Sequence, residues 1–419
     1  MAKLFPTVGW ARGSNVYEVN IRQYTAGGTF AGFAAHIPRL AEMGVEILWL
    51  MPVTPISLEK RQGSLGSYYA CSSYTEVNPE FGGADDLREL VRTAHAHGMR
   101  VIIDWVANHT GWDHHWTKAH PDWYLRDEDG MYFDANGWAD VIDLDYSNEA
   151  MRKEMIRCMQ FWIDSCDIDG FRCDMAHLVP LDFWQQARVA CDSMKPLFWL
   201  AETDNGLYHE VFDATYAWSW MHMSERYMKG EADLAAFTRE LRALNELPPD
   251  CSKLLFTSNH DENSWNGTEY EKYGDGARAM AVLCCTAQAM PLVYSGQEVP
   301  NTRRLKFFDK DQLDWNEPVL AGFYRSLLLL RRHSNAARYG ETAWLDVEGG
   351  ERVIAFVRLH EQRAVLVLIN LSATDKLRVR VKGYPLTGTW SSAFSGLHFH
   401  FDAETVFELG AWGYLVYQK

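Results

Sequence analysis

Three carboxylates in this chain each close a short apolar run: Asp174 in GFRCD, Glu202 in FWLAE and Asp261 in LLFTSNHD. A polar, loop-like stretch follows each acid. Where parallel strands close into a barrel, their C-terminal ends face one side, so acids far apart in sequence converge there. Paired carboxyl groups flanking a sugar acetal are the apparatus of glycoside hydrolysis, one as nucleophile or base and one as proton donor. One such acid alone could be a helix cap or a surface charge. Three of them, with Arg172 two residues before Asp174 and His260 beside Asp261, argue for a shared site.

The elements that must position these acids are legible as alternating short apolar runs and amphipathic stretches through about residue 335. Strands are predicted at Val16–Ile21, Ile47–Met51, Arg100–Trp105, Gly170–Cys173, Leu197–Ala201, Val211–Tyr216, Leu254–Thr257 and Leu292–Tyr294. Eight strands separated by helical segments predict a (β/α)8 TIM barrel. Met151, Met155, Met159, Trp162 and Cys166 recur at helical spacing and form one apolar helix face, with Ser147 as its N-cap. The connection after the third strand, residues 109–147, is turn-rich and reads as a small inserted, non-helical lobe over the catalytic face. From about residue 339 the runs RVIAFVRL, AVLVLINL, KLRVRVKG and GYLVYQ read as a C-terminal antiparallel β-sandwich. The expected units are therefore 1–108 and 148–338 (barrel), 109–147 (lobe) and 339–419 (sandwich).

Composition narrows the function. A net charge of −16 disfavours nucleic acid and other polyanions, whereas a neutral ligand is compatible with it. The 17 Trp and 19 Tyr include flat faces able to stack on sugar rings. No apolar run reaches the roughly 18 residues that a membrane helix needs, and the start lacks a secretory signal, so a cytoplasmic location is expected. The eight cysteines show no framework spacing and are expected to be reduced. His398 and His400 in HFHF read as a solvated strand face, and His114-His115 as a surface loop, rather than as metal ligands.

The ordered motifs DWVANH, GFRCD, AETD and TSNHD resemble those of the α-amylase family, family 13 of the glycoside hydrolases, and the likeness spans nearly the whole chain. The resemblance implies Asp174 as nucleophile, Glu202 as general acid/base and Asp261 as the third acid that stabilises the transition state. It further implies that His109 and His260 bind the sugar at the cleavage point, that Tyr69 stacks beneath it, and that Asp104 orients Arg172. Independent chemistry points the same way: a guanidinium beside Asp174 favours its ionised form, and the apolar run before Glu202 favours its protonated form. If these roles hold, the two carboxyl groups lie about 5–5.5 Å apart, the retaining spacing. The chemistry needs no cofactor. The resemblance allows a structural Ca2+ at Asn108 and Asp143, whose oxygens suit that ion.

The chain departs from the family where specificity is set. Asp174-Met175-Ala176-His177 lacks the lysine that many members place after the nucleophile, and VIDLDYSN is not the QPDLN of the family's oligo-1,6-glucosidases. The missing lysine and the short lobe suggest few downstream sugar contacts and activity on soluble oligosaccharides rather than granular starch. The leading reading is a retaining hydrolase of α-glucosidic, chiefly α-1,4, bonds. Transglycosylation, isomerisation to trehalose and α-1,6 cleavage remain alternatives, as does a barrel that has lost catalysis and serves as a binding subunit. Oligomeric state is not legible.

Overall fold

The computed structural model describes residues 3–248, 250–316 and 318–419. The chain begins the barrel with β1 (Val16–Val19), β2 (Ile47–Leu50) and β3 (Arg100–Trp105). It then leaves to form β4 (His109–Gly111) and β5 (Val141–Asp143), a two-stranded antiparallel sheet. The barrel resumes with β6 (Gly170–Cys173), β7 (Phe198–Ala201), β8 (Ala214–Tyr216), β9 (Ser252–Leu255) and β10 (Met290–Tyr294). Eight parallel strands close in the order β1-β10-β9-β8-β7-β6-β3-β2. Every predicted strand is present, with ends shifted by a few residues. Strands of this kind are buried on both faces, by helices outside and by one another's side chains inside, which is why they read as unbroken apolar runs.

Register carries the site. In the β3–β6 ladder Asp104 lies opposite Arg172, and in the β6–β7 ladder Arg172 lies opposite Leu200. Hydrogen bonding continues one residue past the strands, from Asp174 N to Trp105 O (3.0 Å) and from Glu202 N to Cys173 O (3.0 Å), so both acids stand on one rim. Gly170 is required at the other end of β6: a Cβ there would sit 2.0 Å from the carbonyl oxygen of Phe198.

Helix Glu149–Cys166 buries the expected Met151, Met155, Met159, Trp162 and Cys166. Its cap is Asn148, not Ser147: Asn148 accepts from the N–H groups of Ala150 and Met151. Asp145 accepts from the Ser147 N–H (2.8 Å) and holds that residue in the preceding turn, which moves the helix start one position on. The lobe also differs from expectation, because it contains a helical turn, Trp116–Ala119, and a 3-10 turn, Pro121–Trp123. His114 is not on a surface loop. It is fully buried against Tyr74 and Trp116, and burial holds its imidazole well below the usual range; only His115 is exposed.

The C-terminal strands are β11 (Glu341–Trp344), β12 (Asp346–Glu348), β13 (Val353–His360), β14 (Arg363–Asn370), β15 (Leu377–Lys382), β16 (Gly388–Ser392), β17 (His398–Phe401), β18 (Phe407–Leu409) and β19 (Tyr414–Gln418). They form a six-stranded sheet, β11-β13-β14-β19-β16-β17, and a three-stranded sheet, β12-β15-β18, both antiparallel. β13 and β14 are buried on both faces. Ala355, Val357, Leu366 and Leu368 enter the sandwich core, while Ile354, Phe356, Val365 and Val367 on the opposite face join the barrel core. His398 and His400 are exposed on β17, as expected. All eight cysteines are free.

Candidate active site

Arg172, fully buried, is the hub of the rim. Its Nη1 donates to Asp104 Oδ1 (2.9 Å) and to Asp174 Oδ1 (2.9 Å), and its Nε donates to the Tyr216 hydroxyl (3.1 Å). Glu202 Oε2 lies 2.8 Å from Nη2, in an ion contact that lacks hydrogen-bond geometry. The same Oε2 instead accepts from the backbone N–H of Met175 (2.9 Å). Met175 offers that N–H from a left-handed conformation, φ 39°, which is costly for a side chain of its size and is held by the surrounding structure. Two of the three predicted acids thus share one guanidinium.

The third acid is tied in through His260. His260 Nε2 lies 3.3 Å from Asp261 Oδ2 and 2.7 Å from the Tyr69 hydroxyl, and Nδ1 lies 2.5 Å from Glu18 Oε1. Tyr69 donates onward to Asp104 Oδ2 (3.1 Å), which also accepts from Trp49 Nε1 (3.1 Å). Tyr69 and His260 stack with ring centroids 5.3 Å apart and planes 17° apart. Asp261 is the most open of the three acids, with 34% of its side chain exposed.

Five carboxyl groups (Glu18, Asp104, Asp174, Glu202, Asp261) therefore surround two cations, Arg172 and His260, in a largely dry site. Such crowding keeps part of the set protonated near neutrality. Burial pushes Glu202 up, with Asp174 adding to the shift against Arg172. Asp174 corrects the sequence-based expectation: burial raises its carboxyl more than Arg172 lowers it. Burial drives Asp104 up to about 7. Burial alone would push the His260 imidazolium down, but Asp261 and Glu18 outweigh it and raise it to about 9. His109 goes the other way, lowered to about 4 by burial. One histidine of the pair is thus cationic and the other neutral at pH 7.

His109 starts β4 and lines the cleft with its ring 5.4 Å from that of Trp138. Of the aromatic residues in the lobe, Trp116 and Trp123 are buried in its own core, and Trp112 is capped by Lys60. Asn108 and Asp143 do not by themselves make up a calcium site. Asn108 Nδ2 donates to Asp143 Oδ1 (3.0 Å) and the Ala135 N–H donates to Oδ2 (2.9 Å). Ca2+ asks for six to eight oxygens, and no group of three His, Cys, Asp or Glu side chains suited to a metal occurs among the described residues. Burial raises Asp143 to about 6.

The cleft above Arg172 has a volume of about 430 Å3 and brings together Tyr69, His109, Asp174, Glu202, His260 and Asp261. Sequence reasoning missed Glu18, Tyr216 and Met175 around the acids, and Trp265, Phe307 and Phe308 on the wall. Glu18 left one usable signal, an acid inside the apolar strand VYEV.

The model for "Alpha amylase, catalytic domain" matches residues 10–122 and 118–317. α-Amylase MalA of Haloarcula japonica is 26% identical over 397 residues, covering 87% of this chain and 56% of MalA. A cyclomaltodextrinase of a Bacillus species is 24% identical, covering 82% of this chain and 66% of that enzyme. The chain thus spans between about half and two thirds of the length of these relatives. Among solved structures, the maltogenic α-amylase AmyB of Thermotoga neapolitana superposes with a TM-score of 0.90 at 29% identity, covering 98% of this chain and 99% of AmyB. An α-amylase of Lactobacillus plantarum gives 0.86 at 26% identity, covering 98% and 99%.

Proposed function

The chain belongs to the α-amylase family, and from that membership we propose that it is a retaining hydrolase of α-glucosidic, chiefly α-1,4, bonds in starch-derived oligosaccharides. The observation that carries this reading is the sharing of the Arg172 guanidinium by Asp174 and Glu202 beneath a cleft that also holds Asp261. In the proposed reaction Asp174 attacks the anomeric carbon, while Glu202, kept protonated by burial, gives its proton to the departing glycosidic oxygen. Glu202 then takes a proton from water as the glycosyl–Asp174 ester is hydrolysed, which restores the original anomeric configuration. Asp261 and cationic His260 face the hydroxyls of the sugar at the cleavage point, and Tyr69 packs beneath it. Asp104 acts through Arg172. Residues 109–147 roof the site, 1–108 and 148–338 supply the barrel, and 339–419 pack against its outer helices. Eight free thiols support a cytoplasmic location, and no helix among the described residues is long and apolar enough to cross a membrane.

Digestion of maltoheptaose and pullulan, with reducing ends counted alongside product chromatography, tests the reading. Hydrolysis of α-1,4 bonds raises the reducing-end count and consumes maltoheptaose. Redistribution of chain lengths at constant reducing ends would mark a transferase. Cleavage confined to pullulan at its α-1,6 bonds would overturn the linkage assignment.

A further inference from the structure

Two loops on the catalytic rim are knotted together. One follows β2 (residues 59–66) and the other follows β10 (residues 303–311). Leu65 N donates to Phe308 O (2.9 Å), and Ser64 donates from its N–H (2.9 Å) and its hydroxyl (2.5 Å) to Asp309 Oδ1. The approach is so close that a Cβ on Gly63, at φ +62°, would lie 2.5 Å from Phe308 Cβ. Beneath the seam lies Arg22, fully buried, whose Nη1 donates to Gly66 O (3.0 Å) in one loop and to Phe307 O (3.3 Å) in the other. Glu80 accepts from Arg22 Nε (2.7 Å) and Nη2 (2.9 Å) and fixes the guanidinium plane. A buried, bidentate arginine that bridges two loops makes them one rigid body.

The seam presents an aromatic wall to the cleft. Phe307 lies parallel to Tyr69 (6.2 Å, 17°), and Trp265 packs on Phe307 (5.2 Å) and Phe308 (5.6 Å). All four line the same cavity as the acids. The side of the cleavage point on which this wall stands follows from chemistry. Glu202 delivers its proton to the leaving oxygen, so Glu202 and its neighbour Met175 mark the downstream, leaving-group side. In that reading Tyr69 and His260 hold the ring that is attacked, and the wall is on their side, with Phe307 6.2 Å from Tyr69 and 6.4 Å from His260 between ring centroids. The cavity, about 430 Å3, is toward the low end of the roughly 300–1,000 Å3 usual for ligand pockets.

We infer that the cleft is blind at its upstream end, so that the protein removes short units from the non-reducing ends of α-glucan chains and does not cut within them. This rests on the hydrolase reading above and adds its mode of attack. Phe307, Phe308 and Trp265 are the stop, and Arg22 is a positioning residue that acts through the two loops.

The test compares initial consumption of maltoheptaose with that of maltoheptaose capped by a 4,6-O-ethylidene acetal on its non-reducing glucose, using the full chain. The wild type is expected to take the capped chain at least about 100-fold more slowly, because a steric block against a rigid wall is not relieved by binding elsewhere. Phe308→Ala, which lowers the wall, is expected to raise the capped-to-free ratio by about tenfold or more. Asp309→Ala, which cuts the seam without touching the aromatics, is a second variant expected to move the ratio the same way. Capped and free chains consumed within about threefold of one another by the wild type would overturn the blind end. A strong block that neither variant relieves would overturn the wall's role. Consumption of neither chain would overturn the hydrolase reading itself, an outcome distinct from the other two.

Discussion

Arg172→Met removes the hub while keeping a long side chain in its place. The arginine is fully buried and in contact with three carboxyl groups, at 2.9 Å (Asp104), 2.9 Å (Asp174) and 2.8 Å (Glu202). Taking one partner from a buried ionic set leaves uncompensated charge and costs about 3–5 kcal/mol, less than the sum of separate contacts because the three compete for one cation. The orphaned carboxyls can shed part of that cost by taking up protons. Asp104, already raised to about 7 by burial with Arg172 in place, rises further without it. Each carboxyl that is protonated in the folded variant but ionised in the unfolded chain makes stability rise as pH falls, by about 1.4 kcal/mol per pH unit. Urea unfolding followed by tryptophan fluorescence at pH 7 and pH 5.5 measures both effects. The expected result is a variant about 3–5 kcal/mol less stable at pH 7, with the gap narrowing by at least about 1 kcal/mol at pH 5.5. A gap under about 1 kcal/mol at pH 7, or one that widens on acidification, would refute the view of Arg172 as the charge that holds the acids together.

Three further outcomes follow from the same geometry. Glu202→Gln cannot give a proton, so kcat/KM on maltooligosaccharides is expected to drop by about 100-fold or more, while the first step on an aryl glucoside with an activated leaving group is spared; equal losses on both substrates would remove Glu202 from the acid role. In the proposed reaction Asp174 is ionised and Glu202 protonated, and burial raises both, so both limbs of the pH profile of kcat/KM are expected above the ordinary carboxylate range; an optimum near pH 4 would contradict the burial argument. His260, held at about 9, contributes stability that is fully present below the unfolded value near 6.5 and is lost as pH rises through 9. Because Asp261 is the largest charge raising it, Asp261→Asn is expected to lower the His260 pKa measured by NMR, and an unchanged value would break the link between them.

The barrel and the positions of its acids were legible because both depend on local pattern. Short apolar runs ending in Asp174, Glu202 and Asp261 report the buried strands and their rim directly. What pattern could not show was contact between distant segments. Glu18 lies 242 residues from His260, yet with Asp261 it raises the imidazolium pKa, and no spacing rule joins VYEV to TSNHD. The aromatic wall was invisible for the same reason, since Trp265, after β9, and Phe308, after β10, meet only in space. Met175 stands next to Asp174 in the sequence, but its left-handed backbone and its bond to Glu202 are properties of a turn, not of a side chain, and pattern could not show them. For calcium, pattern offered only Asn108 and Asp143, and in the structure Asn108 donates its amide N–H to Asp143. His114 was misplaced because a histidine pair in a polar stretch looks like surface, whereas the small core of the lobe is built from rings, with Tyr74 and Trp116 around His114.

The central claim is that Asp174 forms a covalent bond to the sugar. Incubating the protein with 5-fluoro-α-glucosyl fluoride, whose good leaving group speeds formation of the ester while its ring fluorine slows breakdown, accumulates any such intermediate. Intact mass followed by peptide mapping then locates it. The account predicts one added fluoroglucosyl group per chain, on the peptide carrying Asp174, and its loss in Asp174→Asn. A label on Asp261 or Glu202, or steady turnover with inverted anomeric configuration and no label at all, would contradict it.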